Sequence, residues 1–94
     1  MGILKNNYCP VCGYNLGFPA WKGLSASDEI CPCCGIQYGY DDMVIGGNVN
    51  KRNCIYEEWR KRWIKEGMPW NSIGIQPSKN WNPTKQLKNL EEDS

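Results

Sequence analysis

Six cysteines in a chain of 94 residues restrict the available folds more than any other feature of this sequence. Four of them form two Cys-x-x-Cys pairs, namely Cys9, Cys12, Cys31 and Cys34. We call residues 9–13 the first knuckle and residues 31–35 the second knuckle. The 18 residues between the pairs give a separation typical of four-cysteine zinc sites, so these four side chains are the candidate metal ligands.

Both knuckles contain the same turn-forming residues. Pro10 and Pro32 follow the first cysteine of each pair, and Gly13 and Gly35 follow the second. Proline presets the backbone dihedral at the start of a turn, and glycine accepts the positive φ that often ends it. Such a turn presents two sulfur atoms to one ion. We therefore predict one tetrathiolate ion that stabilises a domain too small to bury a large core.

Two cysteines remain outside this set. Pairing Cys31 with Cys34 reproduces the spacing of the first knuckle, whereas Cys33 would leave one intervening residue. We predict that Cys33 is a tolerated small residue that faces away from the metal and is partly exposed, with oxidation as the alternative. Cys54 is predicted to pack among aromatic neighbours at the first turn of a helix. Neither is predicted to be catalytic.

The sequence favours a reducing compartment for these thiols. The start, MGILKNNY, has no apolar run behind a basic segment, which argues against a secretory signal. No stretch approaches the roughly 18 apolar residues of a membrane span. We therefore predict a cytoplasmic protein without membrane association, whose cysteines bind metal rather than form disulfides.

Three segments make up the predicted single domain, residues 1–94. They are a metal ribbon over 8–42 with short strands after each knuckle, a helix over 53–66, and an extended tail over 68–94 in which Pro83 permits a short helix over 83–90. The predicted fold is a small metal-stabilised α+β domain, a zinc ribbon whose short strands pack against an amphipathic C-terminal helix. The strands are expected at 14–16 and 36–38.

The predicted helix is amphipathic. Asn53 is the expected cap, and Gly67 ends the helix. One face carries the apolar stripe Ile55, Tyr56, Trp59 and Trp63. The opposite face pairs Glu57 with Lys61 and Glu58 with Arg62 at helical spacing. We expect the apolar stripe to pack on the ribbon.

Charge and composition argue against two functional classes. The formal net charge of +1 counts thiols as neutral, and a tetrathiolate with a divalent ion takes it to about −1. A general nucleic-acid binder is normally basic, and the basic residues Arg60, Lys61, Arg62 and Lys65 alternate with glutamates. This cluster is therefore predicted to be a solvated helix face, and nucleic acid is disfavoured as a partner.

An enzymatic role is also disfavoured. The chain has no histidine, so the commonest general base is missing. A metal with four sulfur ligands keeps no open position for water or substrate. Asp41 and Asp42 are predicted to be part of a polar loop exit rather than an acid pair. The sequence therefore predicts a protein that is not an enzyme.

Two resemblances follow from these motifs. Cys-Pro-Val-Cys-Gly-Tyr at 9–14 and Asp-Glu-Ile-Cys-Pro-Cys-Cys-Gly at 28–35, leading to Asp41–Asp42, resemble the cysteine-rich CPCC family. That family consists of small, mainly bacterial proteins with a predicted zinc ribbon and no settled activity. The resemblance implies the same four ligands. This chain departs from the usual pattern by carrying the additional cysteine, Cys33, in the second knuckle instead of the first.

The knuckles are also similar to those of rubredoxin, in which they bind one iron for electron transfer. Rubredoxins are shorter, strongly acidic and have a longer gap between knuckles, whereas this chain carries a long helical extension. A tetrahedral four-sulfur site accepts either ion, so the difference lies in supply and surroundings. We favour zinc over iron and keep rubredoxin-like electron transfer as the alternative.

The function predicted from sequence is that of a structural zinc-binding protein acting as a protein-interaction module, with an immunity or antitoxin-like role as one version. Exposed rings among Trp21, Trp70 and Trp81 would contact the protein partner, because tryptophan is enriched at binding hot spots. The alternative is that these rings all belong to the core. A nucleic-acid-binding zinc ribbon is the second alternative function.

Overall fold

A computed structural model describes residues 7–22 and 25–90 of the chain. The expectations for the first six residues, for residues 23–24 of the ribbon and for residues 91–94 of the tail lie outside the described residues. The elements are strands β1 (Trp21–Lys22) and β2 (Ser25–Ala26), helices α1 (Val49–Lys65) and α2 (Pro83–Leu87), and 3-10 turns at Ile45–Gly47 and Lys88–Leu90. The prediction of a small α+β fold is confirmed.

The strands lie elsewhere than predicted. β1 and β2 pair antiparallel, with Trp21 opposite Ala26. Residues 14–16 and 36–38 contribute only single bridges, from Asn15 to Tyr8 and from Gln37 to Ile30. Each run stops at a glycine with positive φ, Gly17 at 82° and Gly39 at 89°, because such a residue bends the chain out of the extended conformation.

The two knuckles share one backbone conformation. In each, the amide of the first cysteine and the amide of the glycine donate hydrogen bonds that close the turn. These bonds are Cys9 N to Tyr14 O at 2.8 Å, Gly13 N to Cys9 O at 2.9 Å, Cys31 N to Ile36 O at 2.9 Å and Gly35 N to Cys31 O at 2.9 Å. The repeat extends outward, since Leu16 N bonds Asn7 O and Tyr38 N bonds Glu29 O. Corresponding residues of the two repeats are 22 positions apart.

Helix α1 begins earlier than predicted. Its cap is Asn48, whose Oδ1 accepts a hydrogen bond from Lys51 N at 3.2 Å, and not Asn53. Asn48 has the extended backbone that a cap requires, whereas Asn53 lies inside the helix. The helix ends as expected before Gly67, whose φ is 96°, and Met68 N returns to Trp63 O.

The apolar stripe of α1 packs on the cysteine-rich core. Tyr56 and Trp63 are buried, and Trp59 is half-buried against the same cluster. Arg62, which was predicted to pair with Glu58, stacks on this stripe instead. Its guanidinium lies 4.4 Å from the centre of the Trp59 ring. Such a cation–π contact shields part of the indole from water.

The described part of the tail folds back onto the ribbon. Residues 69–75 run along the second knuckle, and α2 with the following 3-10 turn covers the first. The Trp70 ring makes edge-to-face contacts with Tyr14 at 5.5 Å and with Trp81 at 5.2 Å between ring centres. Across residues 7–22 and 25–90, no helix has the length and apolar character needed to cross a bilayer.

Candidate metal centre

The structure brings the four cysteines of the two knuckles together. Their sulfur atoms all lie within 4.8 Å of one another, and all four side chains are buried. Between the knuckles, Cys9 Sγ lies 3.8 Å from Cys34 Sγ, and Cys12 Sγ lies 3.7 Å from Cys31 Sγ. A tetrahedron with metal–sulfur bonds of about 2.3 Å has edges of about 3.8 Å, so this donor set fits one tetrahedral ion.

The turn geometry explains how each pair of sulfurs converges. Gly13 and Gly35 have φ of 82° and 83°, a conformation that a residue with a Cβ adopts only with strain. In the first knuckle, the Val11 amide donates to Cys9 Sγ at 3.4 Å. The positive φ after the second cysteine lets each turn close on itself, because the Gly13 and Gly35 amides donate to Cys9 O and Cys31 O.

The thiols interact strongly with one another. The hydrogen bond with Cys31 and the neighbouring sulfur atoms, together with burial, raise the pKa of the Cys12 thiol above its ordinary value. The contact with Cys12 lowers the pKa of the Cys31 thiol. Neighbouring sulfurs thus compete for protons in a site closed to water. A divalent cation relieves this competition, because it binds all four groups as thiolates and releases their protons.

Side chains contact the peptide carbonyl groups of the first knuckle. Four successive carbonyl oxygens each accept a hydrogen bond from a residue at least 49 positions away. The donors are Arg60 Nη2 to Pro10 O at 2.7 Å, Arg60 Nε to Val11 O at 2.7 Å, Gln86 Nε2 to Cys12 O at 3.0 Å and Asn89 Nδ2 to Gly13 O at 2.9 Å. The tail approaches so closely that a Cβ on Gly13 would collide with the Gln86 carbonyl oxygen.

Main-chain groups provide most of the contacts to the second knuckle. Asn71 N donates to Cys33 O at 3.0 Å, and Ser72 N donates to Pro32 O at 2.8 Å. A side chain also contributes, since the Trp59 indole donates from Nε1 to Cys34 O at 3.0 Å. Both knuckles are therefore fastened to later parts of the chain, the first by side chains and the second mainly by backbone.

Three residues of the sequence analysis take different positions from those expected. Arg60 is not on a solvated face, because its guanidinium reaches the first knuckle. Cys33 is fully buried rather than partly exposed, because the tail covers it and Gln86 Nε2 donates to its sulfur at 3.4 Å. Cys54 is exposed rather than packed, since it lies two residues, or about 200° of helical rotation, from the buried Tyr56.

Asp42 is the buried polar residue that the sequence analysis missed. It was expected at a polar loop exit, yet its carboxylate is fully buried. It accepts hydrogen bonds from Gly39 N at 2.6 Å, Tyr56 Oη at 2.6 Å and Trp21 Nε1 at 2.9 Å. Burial and the bond to Asp42 raise the pKa of Tyr56, which stays a neutral donor. One carboxylate thus joins the ribbon, β1 and α1.

The five tryptophan side chains are all held within the molecule by their indole N–H groups. Every indole N–H group donates inside the molecule: Trp21 to Asp42 Oδ2, Trp59 to Cys34 O, Trp63 to Pro69 O, Trp70 to Ile75 O and Trp81 to Gln86 Oε1. Trp21, Trp70 and Trp81, for which the sequence allows either exposed contact rings or core rings, are partly buried and pack against the core cluster. Their amphipathic rings fill a core that has few aliphatic residues.

Comparison with known proteins identifies two relatives from Bacillus subtilis (strain 168), YoaQ and YozI, each described as an uncharacterized protein. The chain is 35% identical to YoaQ and 32% identical to YozI. Each match covers 64% of this chain, and the chain spans 58% of the length of each relative. No protein-family profile matches the chain, and no solved structure matches it.

Proposed function

We propose that this chain is a structural zinc protein in which Cys9, Cys12, Cys31 and Cys34 hold one ion. The observation that carries the proposal is the buried cluster of four sulfurs with tetrahedral spacing. Such a site has no position left for substrate, which supports a structural rather than a catalytic role. Reduced thiols this close together also favour a cytoplasmic location, because an oxidising compartment would convert them to disulfides.

The segments that cover the site support a structural zinc ion over the iron of an electron-transfer protein. A redox partner must approach the metal closely, and here α1 and the tail lie against both knuckles. The basic residues of α1 likewise support a structural role over nucleic-acid binding, since Arg60 and Arg62 already contact the protein itself.

Elemental analysis of the purified full chain tests the identity of the metal. We expect about one zinc per chain and a colourless sample, with metal content lost in Cys9→Ser. A red sample with about one iron per chain and a reversible one-electron couple would instead establish the electron-transfer alternative. Metal content unchanged in Cys9→Ser would show that the ligand set is wrong.

We further propose that the ion maintains a surface for a protein partner. Three exposed isoleucines, Ile30, Ile73 and Ile75, line a groove of about 480 Å³ beside the second knuckle. Asp28 and Glu29 form its acidic side. The groove therefore suits a protein segment that carries an apolar side chain next to a lysine or arginine, because the charge would complement these carboxylates.

A peptide-display selection on the zinc-loaded protein tests this surface. We expect enrichment of peptides with a basic residue beside an apolar one, and at least about tenfold weaker binding to Ile73→Ser. Ile45→Ser is the matched control, since Ile45 is 99% exposed and lies outside the groove. Equal loss in both variants, or selection of acidic peptides, would contradict the proposed partner chemistry.

A further inference from the structure

Helix α1 has an exposed surface that combines an apolar side chain with positive charge. Lys61 lies three residues before Ile64 and four before Lys65, and these spacings place the three side chains on one part of the helix surface. All three residues are exposed. Neither ammonium group forms an ion pair within the described residues. We call these three residues the basic face.

The apolar part of the basic face continues onto the tail. Ile64, Leu87, Leu90 and Arg60 line a groove of about 300 Å³, and no carboxylate is among these lining residues. The Arg60 guanidinium reaches the first knuckle, so this surface lies beside that knuckle. A partner that contacts the basic face therefore needs apolar side chains next to carboxylates.

The groove beside the second knuckle offers this combination. Its exposed isoleucines include Ile73 and Ile75, its carboxylates are Asp28 and Glu29, and no lysine or arginine is among its lining residues. We call it the acidic groove. The basic face and the acidic groove share no residue, so one chain presents both surfaces at once. The two carboxylates also equal the two lysines in number.

We infer that the partner of the acidic groove is a second copy of this chain, which inserts its basic face. This inference rests on the proposed protein-binding groove and names its partner. Ile64 of one copy packs on the isoleucines of the other, which removes exposed apolar surface from water. Lys61 and Lys65 face the carboxylates of the groove and fix the register of the contact. Since each copy has both surfaces, two copies can make the contact twice.

Sedimentation analysis of the purified full chain tests this inference. We expect association as the concentration rises to about 1 mM, and weaker association in high salt, because exposed charge pairs are screened. Ile64→Ser and Ile73→Ser should each weaken association at least about tenfold. Ile45→Ser is the matched control, since Ile45 is exposed and lies outside both surfaces. Equal weakening in this control would overturn the inference.

Charge reversal distinguishes this contact from non-specific association. The double variants Lys61→Glu/Lys65→Glu and Asp28→Lys/Glu29→Lys should each fail to self-associate, because each places like charges opposite one another. An equimolar mixture of the two should associate again, because the reversed face of one variant complements the reversed groove of the other. No recovery in the mixture would overturn the inference.

The peptide selection described above separates this inference from the proposed groove. If the wild-type chain has the mass of one chain at every concentration, but its groove still selects peptides with a basic residue beside an apolar one, the second copy is the wrong partner and the groove stands. If neither self-association nor such selection occurs, the groove and its partner are both wrong.

Discussion

The first and second knuckles have the same turn and the same hydrogen-bonding pattern, yet the rest of the chain holds them in different ways. Arg60 and Gln86 reach the first knuckle with side chains. The second knuckle is held mainly by the backbone amides of Asn71 and Ser72. A backbone contact depends on the path of the chain, whereas a side-chain contact depends on one residue type. The two knuckles should therefore respond differently to substitution, although we propose that they hold one ion together.

The largest expected effect is the same for both knuckles. Cys9→Ser and Cys31→Ser should both abolish tight metal binding and unfold the ribbon, because structural zinc typically contributes roughly 10–16 kcal/mol of apparent binding free energy. Metal stoichiometry and circular dichroism measure both losses. Cys33→Ser is the control and should retain the metal. If one of these two variants loses the metal and the other retains it, the knuckles do not share an ion.

Asp42→Asn should give the next largest effect and should act through the second repeat. The equivalent residue of the first repeat is Ala20, so only the second has a buried carboxylate at its exit. The substitution weakens three hydrogen bonds to a charged acceptor and turns an amide N–H₂ toward donors. We expect a loss of about 3 kcal/mol in the free energy of unfolding, measured by denaturant titration. Asp41→Asn is the matched control, and an equal loss there would contradict this role of Asp42.

Arg60→Met tests the side-chain support of the first knuckle. It keeps much of the apolar stem but leaves two carbonyl oxygens without their donor, so unfolding should become easier by about 2–3 kcal/mol. Trp59→Phe removes one neutral hydrogen bond from the second knuckle. The loss of this bond should lower the free energy of unfolding by about 1 kcal/mol, in addition to the effect of the smaller ring. Hydrogen exchange of the knuckle amides should locate each loss. Increased exchange in the second knuckle of Arg60→Met would contradict the assignment.

Alanine at the two knuckle glycines should give the smallest but sharpest difference. At both positions the positive φ would strain an alanine by about 1–2 kcal/mol. At Gly13 the new Cβ also meets the backbone of Gln86, whereas at Gly35 it meets only the side chain of Asn71, an exposed residue. We expect Gly13→Ala to be the more damaging by at least about 1 kcal/mol in thermal unfolding. Gly17→Ala, with open space around its Cβ position, isolates the strain alone.

Sequence patterns predict those parts of this fold that depend on local chemistry. The Cys-x-x-Cys spacing singles out the four sulfurs that the structure brings together. Helical periodicity predicts the buried face of α1 with Tyr56 and Trp63, and the glycine at position 67 predicts where the helix ends. The sequence also contains the signal for a longer repeat that extends from each knuckle to Gly17 and Gly39, because Cys-x-x-Cys-Gly-x-x-x-Gly occurs twice.

The remaining features depend on contacts between distant segments. Asn48 and Asn53 are equally good caps in isolation, and the longer helix brings Arg52 to within 3.7 Å of the centre of the Trp21 ring. Arg60 resembles its solvated neighbours until the first knuckle is placed beside it. Asp42 resembles a loop residue until β1 and α1 supply its donors. No local pattern contains these partners.

The position of the tail also has a consequence for how fast the metal exchanges. The segments that cover the knuckles, residues 69–75 and 81–90, follow all four ligands in the chain, so the ligands leave the ribosome before their cover. If the four cysteines hold an ion as we propose, a nascent chain can load it before the tail folds, and we expect release from the folded protein to require the tail to detach first. We expect the exchange half-life of bound metal to follow the opening of the tail rather than the strength of the metal–sulfur bonds, so that residues 69–75 and 81–90 set how long the ion stays.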